Sequence, residues 1–302
     1  MQNGKKTKPK YIPITCVNAL NKVTGPFPYK WDLNIYRGCV HNCKYCYALY
    51  SHNYLNSNGF FDEIYIKTNI VEQLEKKLLS RTWKNEVINI GSVTDSYQEL
   101  EKDTQLMRDI LKLMIKYKNP ITISTKSDLI LRDYDLIDEL SEITTVNIAA
   151  TITTMNSRMQ KALEPNAKNS ISRFNMLKEF KKTNASIGLH VMPIVPFLTD
   201  SYENLNALFY NAKKADVDYV ITCIMNLRGP TRKYFFDFIY NNFNSLYADY
   251  LKLYERKKIS NEYSNKLYKN ISELKAKYEL NNDPAKFIKT PKKEENTQIS
   301  FW

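Results

Sequence analysis

A chain of 302 residues, 43% hydrophobic and 25% charged, has the composition of an ordinary soluble globular protein and can build a substantial core in one large domain or two small ones. No apolar run approaches the ~20 residues that span a bilayer, and the basic opening MQNGKKTKPKYIPIT lacks the apolar segment of a secretory signal. A cytoplasmic, reducing setting without a membrane is therefore expected, where cysteines act as ligands or thiols rather than as disulfides.

The net charge of +12 is unevenly placed: residues 1–30 hold six lysines and no acid, and residues 256–302 hold eleven Lys or Arg against six acids. Two basic ends on a nearly neutral body suit a polyanionic partner, nucleic acid first. They suit solvated termini equally well.

In chain order, residues 1–30 read as a basic N-terminal extension. Short β-branched runs then alternate with amphipathic stretches, the sign of parallel βα units. The spacing predicts strands at Leu33–Tyr36, Val87–Ser92, Ile121–Thr125, Thr145–Thr151, Ile187–Met192 and Tyr219–Ile224, with a short extra one at Ile64–Ile66. Helices are predicted from Thr104 to Lys116, Ser170 to Thr183 and Tyr202 to Lys214, each with one buried face. Six such units are too few for a closed eight-fold barrel and enough for an open, partial (β/α)6 TIM-like barrel over residues 31–240. Residues 241–302 form a C-terminal helical extension and tail, in which Phe243, Leu246, Tyr247, Tyr250, Leu251 and Tyr254 repeat at helical spacing and are expected to pack on the barrel. A second helix is predicted from Asn261 to Leu280.

The stretch RGCVHNCKYCYA places Cys39, Cys43 and Cys46 just after the first strand, at the end of the barrel where chemistry sits. A structural zinc site wants four protein ligands. The other two cysteines, Cys16 and Cys223, are isolated, and His52 has no paired partner. Three thiolates suit a cubane iron–sulfur cluster whose fourth iron stays open to an exogenous ligand. His41, inside the loop, is expected to be exposed and is not needed as a ligand, and His190 reads as a core histidine.

C-x3-C-x2-C with Tyr45 before the last cysteine resembles the radical S-adenosylmethionine (SAM) superfamily. LNIYRGCVHNCKYCYA, IKTN at 66–69, VTDSYQELE at 93–101, STKSDLILRD at 124–133 and LEPNAKNSISR at 163–173 are similar to its spore photoproduct lyase-related branch, often labelled DNA repair photolyases. The resemblance runs from about residue 12 to 240. It implies a [4Fe–4S] cluster on the three cysteines, SAM bound at the open iron, an external electron donor, and a 5′-deoxyadenosyl radical that takes hydrogen from a substrate. Tyr45 would lie near the adenine.

Lys126 ends the third predicted strand, where an ammonium can pair with the SAM carboxylate. The resemblance implies that role, with Ser127 beside it. Thr151 and Thr153 fall on one face of the fourth strand, and a hydroxyl there can meet the ribose. Ser92 follows a glycine that permits close approach to a ligand, and is taken as cofactor-binding. Thr94, Asp95, Tyr97 and Gln98, in the same loop, are assigned to the substrate side, together with Arg228 after the sixth strand.

One departure matters. Spore photoproduct lyase carries a hydrogen-donating cysteine at the end of its second strand, whereas this chain has none from 47 to 222. Reversal of a thymine dimer by that route is therefore not assigned. Cys223 is the one candidate replacement, if it faces the barrel interior.

The tail ends in QISFW, which resembles the peptide by which DNA polymerases and repair proteins dock on the sliding clamp: Gln298 would hydrogen-bond, while Ile299, Phe301 and Trp302 fill apolar pockets. The leading expectation is thus a radical SAM enzyme acting on nucleic acid, DNA favoured, in repair or modification. Two alternatives stay open: the same chemistry on a peptide, protein or small molecule, and a non-catalytic nucleic-acid-binding module held by zinc.

Overall fold

The computed structural model describes residues 8–281, apart from 53, 54, 56, 58 and 256–258. Its strands in chain order are β1 (Lys10–Ile14), β2 (Leu20–Lys22), β3 (Trp31–Leu33), β4 (Tyr36–Arg37), β5 (Glu63–Lys67), β6 (Ile88–Ile90), β7 (Ile121–Thr125), β8 (Val146–Thr151), β9 (Ser186–Ile194) and β10 (Tyr219–Ile224). Seven of them form one sheet in the order β10-β9-β8-β7-β6-β3-β2. The six from β3 to β10 run parallel, and β2 adds an antiparallel edge to β3. This is an open six-stranded TIM-like barrel, with helices over its outer face. A second sheet, β1-β5-β4, stands apart. Strands β1 and β2 draw residues 10–22 into the two sheets.

The core follows the spacing of apolar residues. Helix Leu106–Lys116 buries Met107, Ile110, Leu111 and Met114 against the sheet, and Tyr202–Lys214 buries Leu205, Leu208, Phe209 and Ala212. Each of the larger side chains contributes roughly 1.5–3 kcal/mol by leaving water. Several boundaries shift by one to three residues, among them Ser170–Phe180 for the helix expected to reach Thr183 and Ile88–Ile90 for the strand expected over Val87–Ser92, and two differ more deeply for local reasons. The run Leu33–Tyr36 is not one strand: Lys67 donates its Nζ to Asn34 O (2.6 Å) and its amide to Ile35 O (3.2 Å), pulling the chain across to the small sheet. The helix expected from Thr104 breaks at Gln105, whose φ is +51°, and Glu101 Oε1 accepts the Met107 amide (2.9 Å) to start the next one.

Helices Pro230–Asn242 and Tyr247–Leu253 pack a second cluster over the C-terminal ends of the strands. Phe235, Phe238, Tyr250 and Tyr254 meet Val195, Met225, Cys43 and Tyr45 there. The tyrosine hydroxyls donate to the carbonyls of Pro196 and Met225, so the polar tips of buried rings stay satisfied. Leu251 is the exception to the expected packing and is 46% exposed. Helix Asn261–Lys277 guards the edge of β10: Lys275 Nζ donates to Val220 O (2.9 Å), and Val220 N donates to Asn281 O (2.8 Å). Among the described residues no helix is long and apolar enough to cross a membrane. The QISFW tail lies outside the described residues.

Candidate functional site

The three cysteines lie on a loop whose backbone is held from several sides. Gly38 has φ +83°, and a Cβ there would come within 2.6 Å of Glu63 O and 2.8 Å of Phe60 O, so only glycine lets the loop pass this close to β5. Thr94 Oγ1 (2.6 Å) and Gln98 Nε2 (3.3 Å) both donate to Gly38 O, and Val40 N donates to Gln98 Oε1 (2.9 Å). Asn166 Nδ2 donates to Val40 O (2.7 Å), Lys44 N to Leu163 O (2.8 Å), and Thr231 Oγ1 to Cys46 O (2.8 Å). Loop 93–98, segment 163–166 and the helix at 231 therefore hold it as a frame.

Within that frame the three thiols are neighbours: Cys46 raises the pKa of both Cys39 and Cys43, and Cys39 adds to the rise of Cys43. Burial is the larger cause: it pushes Cys39 up to about 12 and Cys43 and Cys46 above the usual thiol range, while Lys126 works the other way on Cys43 and Cys46. Backbone amides of His41 and Asp95 point at the Cys39 sulfur, and that of Ala48 at Cys46. Buried thiols with amides aimed at their sulfurs are suited to trade protons for metal. Three free thiols on one loop fit a cubane cluster with one iron left open better than tetrahedral zinc, which wants four protein ligands.

Behind the loop lies a buried charge network. Glu164 and Arg173 are both fully buried and meet at 2.5 Å. Glu164 also accepts from the Tyr45 hydroxyl and from Thr153 Oγ1 (3.4 Å), and Arg173 Nη1 donates to Thr151 O (2.7 Å). Burial would raise the Glu164 carboxyl, but Arg173 and Lys126 outweigh it and hold it below its usual range. Burial likewise opposes the Lys126 ammonium, and Cys43, Glu164 and Asp95 overcome that to keep it charged. Lys126 Nζ stands 5.9 Å from the centre of the Tyr45 ring. It has no hydrogen bond or ion pair among the described residues, so a cation with three unused donors faces the cysteines.

The structure brings Cys39, Cys43, Cys46, Tyr45 and Lys126 together. It places other expected residues differently. Thr94, Asp95, Tyr97 and Gln98 are all buried: Thr94 and Gln98 spend their polar groups on the cysteine loop, while Tyr97 turns towards Asp133 and Glu101, so the expected place of the four beside substrate is corrected to a supporting one. Asp95 ties the ends of two strands together, accepting from Thr125 Oγ1 (2.8 Å) and the Lys126 amide (2.8 Å). His41, expected to be exposed, is buried with Nδ1 3.4 Å from Asp95 Oδ2. Ser127 accepts the Leu129 amide (3.2 Å) and Thr153 faces Glu164, whereas Thr151 stays on the lumen side near Ser124 Oγ (3.5 Å). Ser92 pairs with Asn34 Nδ2 (3.0 Å) across the ends of β6 and β3.

Cys223, named as a replacement hydrogen donor if it faced the barrel interior, is exposed, and its thiol donates to Ile224 O (3.4 Å) beside Tyr268. Arg228 is exposed at a cleft of about 410 Å³, lined also by Tyr47, Tyr50, Asn226 and Gly229–Thr231. Thr231 joins this cleft to the cysteine loop through its bond to Cys46 O. Sequence reasoning missed Glu164 and Arg173 as part of the site. Their signal was the stretch LEPNAKNSISR, but nothing in its periodicity says that the two charges turn inward and meet.

A family model described as the radical SAM superfamily matches residues 33–239. An uncharacterized protein of Mycobacterium tuberculosis is 30% identical over 276 residues, covering 89% of this chain and 81% of its own. An uncharacterized protein of Methanocaldococcus jannaschii is 31% identical over 194 residues, 64% of this chain and 71% of its own. Among solved structures, a spore photoproduct lyase mutant with bound AdoMet and dinucleoside spore photoproduct superposes with a TM-score of 0.67 at 12% identity, covering 88% of this chain and 78% of that one. At that identity the likeness is one of fold.

Proposed function

The chain belongs to the radical SAM superfamily, and from that premise we propose that it is an enzyme that holds a [4Fe–4S] cluster on Cys39, Cys43 and Cys46, binds SAM at the open iron, and acts on nucleic acid, with DNA the favoured substrate. Once bound and reduced by an external electron donor, the cluster and SAM together supply a 5′-deoxyadenosyl radical for hydrogen abstraction. The observation that carries the cofactor half is the Lys126 ammonium, charged and without a partner of its own, set against the three-cysteine loop. It would take the SAM carboxylate in a charge-assisted bond. Tyr45 is fixed by its hydroxyl on Glu164, leaving its ring and backbone to flank the adenine. The aromatic cluster around Phe235, Tyr250 and Tyr254 roofs the Cys43 and Tyr45 side of the loop and keeps water from it.

Support for the substrate half is of a different kind. Both ends of the chain are basic. Beside the cysteine loop, the cleft presents Tyr47 and Tyr50, 61% and 48% exposed, with Arg228 at its rim. Exposed rings next to a cation suit a stacked base and its phosphate. The tail QISFW would tether the enzyme to a sliding clamp, and a peptide of residues 298–302 that binds no clamp at high micromolar concentration would remove that partner. The substrate reading is tested by 5′-deoxyadenosine formation from reconstituted protein with and without ultraviolet-damaged DNA. Turnover that rises with DNA and falls steeply with salt supports it; an unchanged rate refutes it and moves the chemistry to a peptide, protein or small molecule.

A further inference from the structure

Three side chains on the lumen face lie outside the charge network behind the cysteines. Ser124 Oγ on β7 stands 3.1 Å from His190 Nδ1 on β9 and 3.5 Å from Thr151 Oγ1 on β8. Thr151 and His190 face each other in the β8–β9 register, so they share one layer at the C-terminal end of the barrel. Lys126 follows directly after the end of β7, two residues beyond Ser124, and is near enough for its charge to act on the His190 ring. One layer below, Tyr219 closes the lumen. Its ring stands over Gly188, where a Cβ would come within 2.2 Å of it, and its hydroxyl pairs with Asn147. The ring centre lies 6.0 Å from the imidazole.

His190 is 8% exposed, and its Nε2 has no hydrogen-bond partner among the described residues. A buried ring nitrogen left unmatched costs free energy that a bound group can return. If Ser124 donates to Nδ1, Nε2 is an N–H donor; if Nδ1 donates, Nε2 is an acceptor. A hydroxyl matches either form, because it both donates and accepts. Burial, with Lys126 nearby, holds the ring's pKa down to about 4, so it is the neutral imidazole that faces the lumen.

A ligand with its carboxylate on Lys126 would extend over this layer. We propose that His190, beside Thr151 and oriented by Ser124, hydrogen-bonds the ribose hydroxyls of SAM. The inference rests on the cofactor reading above and adds to it a residue for the nucleoside half.

The test is equilibrium binding of SAM to the reconstituted enzyme and to His190→Asn and His190→Gln. An asparagine amide reaches about as far as Nδ1, so it keeps Ser124's partner and removes Nε2; glutamine reaches as far as Nε2. Asn is expected to weaken SAM about tenfold (roughly 1.4 kcal/mol), and Gln to restore it to within about threefold. The 2′,3′-dideoxy analogue of SAM is expected to bind the wild type about tenfold more weakly than SAM does, with a smaller penalty on the Asn variant, because the lost contacts are shared. Equal SAM affinity in the wild type and the Asn variant would overturn the inference while leaving the cofactor reading intact. So would a wild type that does not distinguish the analogue from SAM, a comparison that needs no variant to fold. A reconstituted wild type that binds no SAM at all would instead refute the cofactor reading itself.

Discussion

Replacing Glu164 by leucine removes the anion from a network with no exposure to solvent. Its partner Arg173 is also fully buried, at 2.5 Å, and its other neighbours include the Lys126 ammonium. Breaking a buried pair strands the remaining charge at a cost of about 3–5 kcal/mol. The upper end applies here, because Arg173 would then face Lys126 with no anion between them, and the Tyr45 hydroxyl would lose its acceptor as well. Arg173→Met strands Glu164 instead, but Lys126 and Tyr45 remain to meet it, so about 3 kcal/mol is expected. The double variant removes both charges together and strands neither partner of the pair, so its loss should match one single variant rather than the sum, a coupling of about 3 kcal/mol. For a chain of this size about 2 °C of melting temperature accompanies each kcal/mol, so Glu164→Leu should melt roughly 10 °C lower and Arg173→Met about 6 °C lower. The four proteins are compared iron-free, so that loss of cluster does not enter the transition. Single losses below about 1 kcal/mol, or a double loss equal to the sum, would refute the view that the pair acts as one unit.

Gly188→Ala drives a methyl to 2.2 Å from the Tyr219 ring, and the overpacking should cost roughly 1–3 kcal/mol, read as a lowered denaturation midpoint; an unchanged midpoint would mean that the ring moves aside freely. His190 titrates in the unfolded chain near 6.5 and in the fold at about 4. The unfolded state therefore binds the extra proton, and stability present above pH 6.5 is lost as pH falls towards 4, by about 3 kcal/mol. His190→Gln should lose correspondingly less over that window, and parallel profiles would refute the assignment. Lys126→Ala removes a charged hydrogen bond, so SAM affinity should fall on the order of 10- to 150-fold with the cluster intact. Wild-type affinity in that variant would show that the carboxylate sits elsewhere.

Most of the barrel was legible because its signals are local. Alternating β-branched residues marked β7, β8, β9 and β10 nearly to the residue, and the apolar faces of helices Leu106–Lys116 and Tyr202–Lys214 followed their spacing. The start was less legible, since the swerve after Leu33 is set by Lys67, more than thirty residues on, through a side-chain bond that no window of sequence contains. The site divides the same way. Three cysteines at fixed spacing declare themselves, and so does a lysine at a strand end. Thr94, Asp95, Tyr97 and Gln98 were found as a group but misplaced, because a polar loop reads as exposed until the chain it supports folds over it. His41 failed for the same reason: its burial comes from Asp95 and Asn166, contributed by distant turns. Glu164 and Arg173 were invisible as a pair, since charge in sequence reads as surface until its partner is known.

The central claim is that Cys39, Cys43 and Cys46 hold a [4Fe–4S] cluster with one iron left for SAM. Anaerobic reconstitution followed by iron and sulfide analysis, with electron paramagnetic resonance of the reduced protein before and after SAM, tests it most directly. The account predicts four irons and four sulfides per chain, a reduced-cluster signal that SAM alters, and loss of both in Cys43→Ala. A colourless wild-type protein that takes up zinc instead of iron, or a Cys43→Ala variant that keeps the SAM-responsive signal, would contradict it.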